Sequence, residues 1–144
     1  MKRMKVTIVA VLVALLIVSG FWWYWEQEMP LKALLPGENW HIATLVGIVL
    51  DDTTYTPRHV PYTVDEEAAQ AILAALDRVQ VNRCAGDDDF GFWLVLCSEG
   101  EHEMVSISVC ENGTLVLNGD QYYEGGGEFY ELLYRLAQTL SVSN

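Results

Sequence analysis

FGFWLVLCSEGEHEMVSISVCENGTLVLNGDQYY, residues 90–123, decides the fold of this chain. Two apolar runs, 90–98 and 103–110, flank a polar turn at 99–102. Both are rich in the β-branched and aromatic residues that suit a pleated surface. Asn112-Gly113 and Asn118-Gly119 come after them, each a pair that tolerates positive φ and closes a tight hairpin. Further strands are expected at 114–117 and 120–123. Side chains alternate between the faces of a strand, so the turn sets what each face carries. If Ser98 pairs with Glu103, Cys97 faces Met104 and Cys110 faces Gly91. Phe92, Leu94, Leu96, Val105, Ile107 and Val109 then share the face that helices should cover. Trp93, Val95, Cys97, Met104, Ser106, Ser108 and Cys110 share the other.

Working outward, two helices are expected to cover that sheet. Thr63-Val64-Asp65-Glu66 has the form of a capping box. Ala68, Ala69, Ile72, Leu73, Leu76 and Val79 then fall on one helical face, in a helix running to Val79. Phe129, Leu132, Leu133, Leu136 and Leu140 do the same over 128–140. Residues 80–85 read as the first strand of the meander, turned into the next by 86–89. Residues 40–50, apolar on both alternating faces, read as a central strand. A short return strand is expected at 53–56, and Pro57 and Pro61 should limit strand pairing beyond it. Gly125-Gly126-Gly127 reads as a flexible connector. The fold class is α+β: an antiparallel meander sheet packed with two helices, after an N-terminal transmembrane helix.

That helix is the segment Val6–Trp25, twenty residues without a charge, preceded by Lys2, Arg3 and Lys5. At about 1.5 Å per residue, it crosses a hydrocarbon core of roughly 30 Å. Basic residues stay on the cytoplasmic side, so the C-terminal part is sent outward. Phe21, Trp22, Trp23, Tyr24 and Trp25 form an interfacial aromatic belt, as an uncleaved anchor requires. Val18-Ser19-Gly20 also fits a signal-peptide cleavage site, which would release a secreted protein. The expected organisation is a signal anchor at 1–25, a linker at 26–39 and an extracytoplasmic domain at 40–144. Leu31, Leu34 and Leu35 of the linker can pack on the domain or lie at the membrane surface.

Ile72-Leu73-Ala74-Ala75-Leu76, the double turn Asn112–Gly119 with Tyr122-Tyr123 after it, and Leu132-Leu133-Tyr134-Arg135-Leu136 carry a resemblance. Over residues 63–140 the chain resembles the YhfM-like lipoprotein domains, small exported domains of Gram-positive bacteria. The resemblance implies an exported location and this fold only. Those domains are tethered through a lipidated cysteine, which this chain lacks. A cystatin-like helix wrapped by a sheet is the alternative architecture by analogy.

All twenty Asp and Glu lie after Trp25, against five Lys and Arg, so the exterior part carries −15. Nucleic acid, which needs a basic footprint, is excluded as a partner. Anionic lipid head groups are disfavoured on the same ground. A cationic peptide or an envelope protein suits such a surface, and so does simple solubility. Cys84, Cys97 and Cys110 are an odd number for an oxidising compartment. With the 80–85 strand beside Gly91, Cys84 and Cys110 would flank that residue, about 10 Å apart. A Cys84–Cys110 contact or bridge is the candidate pairing, and three free thiols is the alternative.

Chemistry is sparse. His102-Glu103 begins a zinc-protease motif, but Ser106 stands where the second His is needed. No nucleophile elbow is present, and no basic group is seen to activate a thiol. Cofactors are not expected. Asp87 and Asp89 alternate as in a calcium loop, yet Ser98 replaces the required glutamate. Trp93, Val95, Met104, Tyr122 and Tyr123 form the candidate binding patch, to which Trp40, Tyr55 and Tyr62 can add. The leading functional expectation is a non-catalytic protein- or peptide-binding accessory module of a cell envelope. A secreted hydrolase or thiol enzyme, and a calcium-stabilised or calcium-sensing domain, are the alternatives.

Overall fold

A computed structural model describes residues 2–37, 39–51, 53–86, 90–98 and 103–143. Helix α1, Lys2–Glu26, is continuous, and none of its side chains is buried. It is long and apolar enough to cross a membrane. Its apolar residues run all round the helix, so no polar face exists to turn toward water.

The stretch expected as a linker belongs to the folded head. Strand β1, Met29–Pro30, pairs with β4, Gln80–Arg83. One 3-10 turn, Leu31–Leu34, comes next. Leu31 is 0% exposed and Leu35 7%, both within the core. The Leu31 N–H donates to the Val79 carbonyl at 2.9 Å. Pro30 is tolerated because β1 is an outermost strand.

The remaining strands are β2 (Trp40–Leu50), β3 (Pro57–Tyr62), β5 (Gly91–Ser98), β6 (Met104–Cys110), β7 (Leu115–Leu117) and β8 (Gln121–Glu124). They form one eight-stranded sheet in the order β1-β4-β8-β7-β6-β5-β2-β3, every pair antiparallel. The meander is β5 to β8. Its last turn holds Asn118 at φ 52° and Gly119 at φ 81°, as a primed hairpin turn demands.

Four expectations are corrected. The turn lies where a return strand was expected: Asp51 accepts from the Thr53 N–H at 2.8 Å, and β3 begins at Pro57. All six residues of β3 pair with β2 despite two prolines. The Pro61 carbonyl accepts from Ser143 on the outer side, so Pro57 and Pro61 turn their missing donors away from β2. Helix α2 spans Glu66–Leu76, and its cap is Asp65, which accepts from the Ala68 N–H at 2.7 Å. Thr63 instead donates its N–H to the Ser141 carbonyl. Finally, β4 does not adjoin β5. It pairs with β8, so β8, β7 and β6 stand between them.

Helices α2 and α3 (Gly127–Ala137) cover one face of the sheet. Ile72, Leu76, Phe129 and Leu133 meet Leu45, Phe92, Leu94, Leu96, Val105, Ile107, Val109, Leu115 and Leu117 in one core. The glycine connector is packed rather than loose. Gly125 has φ 112°, and a Cβ there would sit 2.4 Å from the Gln80 carbonyl. The Gly126 N–H donates to the Gly113 carbonyl at 2.8 Å.

Candidate functional site

The register of β5 and β6 is the expected one. Gly91 pairs with Cys110, and Cys97 with Met104. The outer face of the sheet is therefore as anticipated, but the candidate patch is smaller. Trp93 is 41% exposed and Met104 64%, while Val95 is only 6% exposed. Val95 lies between Thr44 of β2 and Ser106 of β6, in the middle of the sheet. Tyr122 is half-buried, and Gly86 rests on its ring, where a Cβ would come within 2.2 Å. Tyr123 is 7% exposed and belongs to the core. Adjacent strand residues point to opposite faces, so Tyr122 and Tyr123 cannot share one surface. Trp40 and Tyr62 also pack on the core, and Tyr55 stands alone at the β2–β3 turn. Trp93 and Met104 remain, roughly 13 Å apart along the strands.

No disulfide joins Cys84, Cys97 or Cys110. The Cys84 N–H donates to the Tyr122 carbonyl of β8 at 3.3 Å, whereas Cys110 is on β6. Three strand spacings, about 14 Å, separate the lines of β4 and β6, beyond the reach of a disulfide. The expected pairing fails because it assumed that β4 adjoins β5. Cys97 has His41 opposite it on β2, an adjacency that sequence reading missed. The two are far apart in the chain and share no readable motif, and only the β2–β5 register joins them.

Among the described residues, no group of three or more His, Cys, Asp and Glu is placed to hold a metal. Asp87, Asp89 and His102 lie outside the described residues. The Asp51 carboxyl is held below its ordinary pKa, chiefly by the Thr53 backbone N–H it accepts. It is a turn-forming group.

Two concave features were not legible beforehand. A groove of about 940 Å³ runs between α2 and α3, with Ala71, Ala74 and Ala75 on one wall and Leu132 on the other. Alanines make it, since their short side chains leave space between the helices. Arg78 and Arg135 line it together with Glu111, Glu128 and Glu131.

The second feature joins α1 to the head. The last turn of α1 holds no basic residue. Arg83 of β4 supplies one, donating to the Tyr24 carbonyl at 3.1 Å and to the Tyr24 hydroxyl at 3.0 Å. Its guanidinium also stands 4.1 Å from the centre of the Tyr24 ring. Asn82 donates to the Glu26 carbonyl at 3.3 Å. A cation beside the negative end of a helix is favourable, and Arg suits stacking on an aromatic ring. Beside this joint lies a cavity of about 450 Å³, lined by Trp25, Glu26, Arg83 and Glu124 among others.

No protein-family model, curated protein or solved structure matches this chain.

Proposed function

We propose that this chain is a membrane-anchored accessory module whose acidic, extracytoplasmic head binds an envelope protein or a cationic peptide without catalysis. One observation carries the binding reading: Trp93 and Met104 are exposed on the outer sheet face, and the outermost strands β1 and β3 are poor templates for strand addition. At one edge, β1 is two residues long. At the other, Pro57 and Pro61 remove outward donors, and the bond from Ser143 to Pro61 occupies part of the strand. Side-chain surfaces are then the better contact for a partner, and aromatic and methionine residues are favoured there. The anchor reading is supported by the uncovered α1 and by the basic residues at its start. The resemblance of residues 63–140 to exported domains agrees with it.

Cross-linking of the full chain in its native membrane tests this function. One stoichiometric protein partner is the expected product. A chain recovered only as itself contradicts it. A second reading, a thiol enzyme, is favoured by His41 standing opposite Cys97. It requires rapid alkylation of native Cys97 that slows in His41→Ala. Equal rates in the two proteins sink it.

A further inference from the structure

We propose that the cavity at the α1–β4 joint receives the headgroup of phosphatidylethanolamine from the leaflet that the head faces. The inference rests on α1 being a membrane anchor, because that sets the depth of the cavity. Tyr24 and Trp25 end the aromatic belt, and such belts sit at headgroup level. Arg83 is fixed to Tyr24 of that belt, and Trp25 and Glu26 line the cavity with it. The cavity is therefore at the height of lipid phosphates and not out in the solvent.

Its charges select the headgroup. Arg83 has five N–H donors and gives two bonds to Tyr24, so others remain for a phosphate oxygen. Glu26 and Glu124 line the same cavity and can accept from an ammonium group. A phosphate joined to a primary ammonium satisfies both. Phosphatidylcholine presents a cation without N–H donors, so the carboxylates gain charge pairing but no hydrogen bond. Phosphatidylglycerol presents no cation, and two carboxylates against one arginine repel it. The −15 charge of the exterior part disfavours anionic lipid further. The joint between helix and head thus has a second use, as a lipid contact that holds the head against the bilayer.

Full-length protein in vesicles of phosphatidylethanolamine, phosphatidylcholine and phosphatidylglycerol in equal parts tests this. The lipid that survives extraction with the protein is identified by native mass spectrometry. Phosphatidylethanolamine retained above the other two is the expected result. Glu124→Gln, which leaves the Arg83–Tyr24 contacts intact, should lose the preference over phosphatidylcholine. Arg83→Gln should lose retained lipid altogether. Retention that ignores headgroup, or a preference unchanged in Glu124→Gln, overturns the site while leaving the anchor standing. A chain that fails to enter vesicles overturns both. Soluble phosphoethanolamine that displaces the retained lipid would support the headgroup chemistry and extend its source to solution.

Discussion

The two faces of β5 and β6 are made from alternate residues of the same strands, and they differ in nearly every respect. The inner face is Phe92, Leu94 and Leu96 against Val105, Ile107 and Val109, all buried beneath α2 and α3. The outer face mixes Trp93, Val95 and Cys97 with Met104, Ser106, Ser108 and Cys110, and its exposure varies from residue to residue. An inner residue is held by what the fold must exclude from water. An outer residue is free of that demand, so Trp93 and Met104 stay exposed and open to a partner. Burial of a large apolar side chain is worth about 1.5–3 kcal/mol, and these two leave much of it unrealised.

The largest effect that could break this contrast is in the core. Leu94→Ala or Ile107→Ala should cost about 2–5 kcal/mol in denaturant unfolding, since each is fully buried. Met104→Ser should stay within about 0.5 kcal/mol of the parent, as surface changes do, and Trp93→Ser, half-covered between its strand neighbours, should cost about 1 kcal/mol. Equal losses on both faces would mean that the outer face is structural.

Gly91 sharpens the contrast, because it is an outer-face position that does not tolerate a side chain. A Cβ there would meet the Val109 carbonyl at 1.9 Å. Gly91→Ala should therefore destabilise by about 1–3 kcal/mol, through overpacking. Unchanged thermal unfolding would show that the β5–β6 pairing is looser than described. Asp65→Ala comes next, with an expected loss of about 1 kcal/mol from the uncapped α2. Thr63→Ala should leave that cap untouched, and a larger loss there would restore the capping box first expected.

The smallest effect concerns acid. Asp51 has a lowered pKa in the folded chain, so its contribution is present above its unfolded pKa. That contribution is lost as pH falls through the lowered folded value. The melting temperature of Asp51→Asn should lie below the parent's at neutral pH and converge with it under acid. A constant gap across that range would remove the Thr53 N–H contact as its cause.

How much was legible depends on the range of each signal. The Ser98–Glu103 turn set the faces of β5 and β6 because parity propagates along paired strands. The Asn-Gly turns and the apolar stripes of α2 and α3 are equally local. The position of β4 was not legible, since its four residues carry no mark of choosing β8 over β5. That single error misplaced Cys84 and suggested a bridge to Cys110. Leu31 and Leu35 looked like linker residues between prolines, and only the space beside Val79 and Val81 makes them core. The Arg83–Tyr24 joint spans 59 positions and has no motif. Aromatic composition alone points Tyr123 to the patch, although its alternation with Tyr122 puts the two on opposite faces.

The most direct test of the binding account is position-resolved photo-cross-linking in native membranes, with the photoreactive residue at 93, 104 or 134. Tyr134 is exposed on the helical side of the head and serves as the opposite face. One shared adduct from positions 93 and 104 and none from 134 is the expected result. Adducts that arise from position 134 alone, or equally from all three, would contradict it.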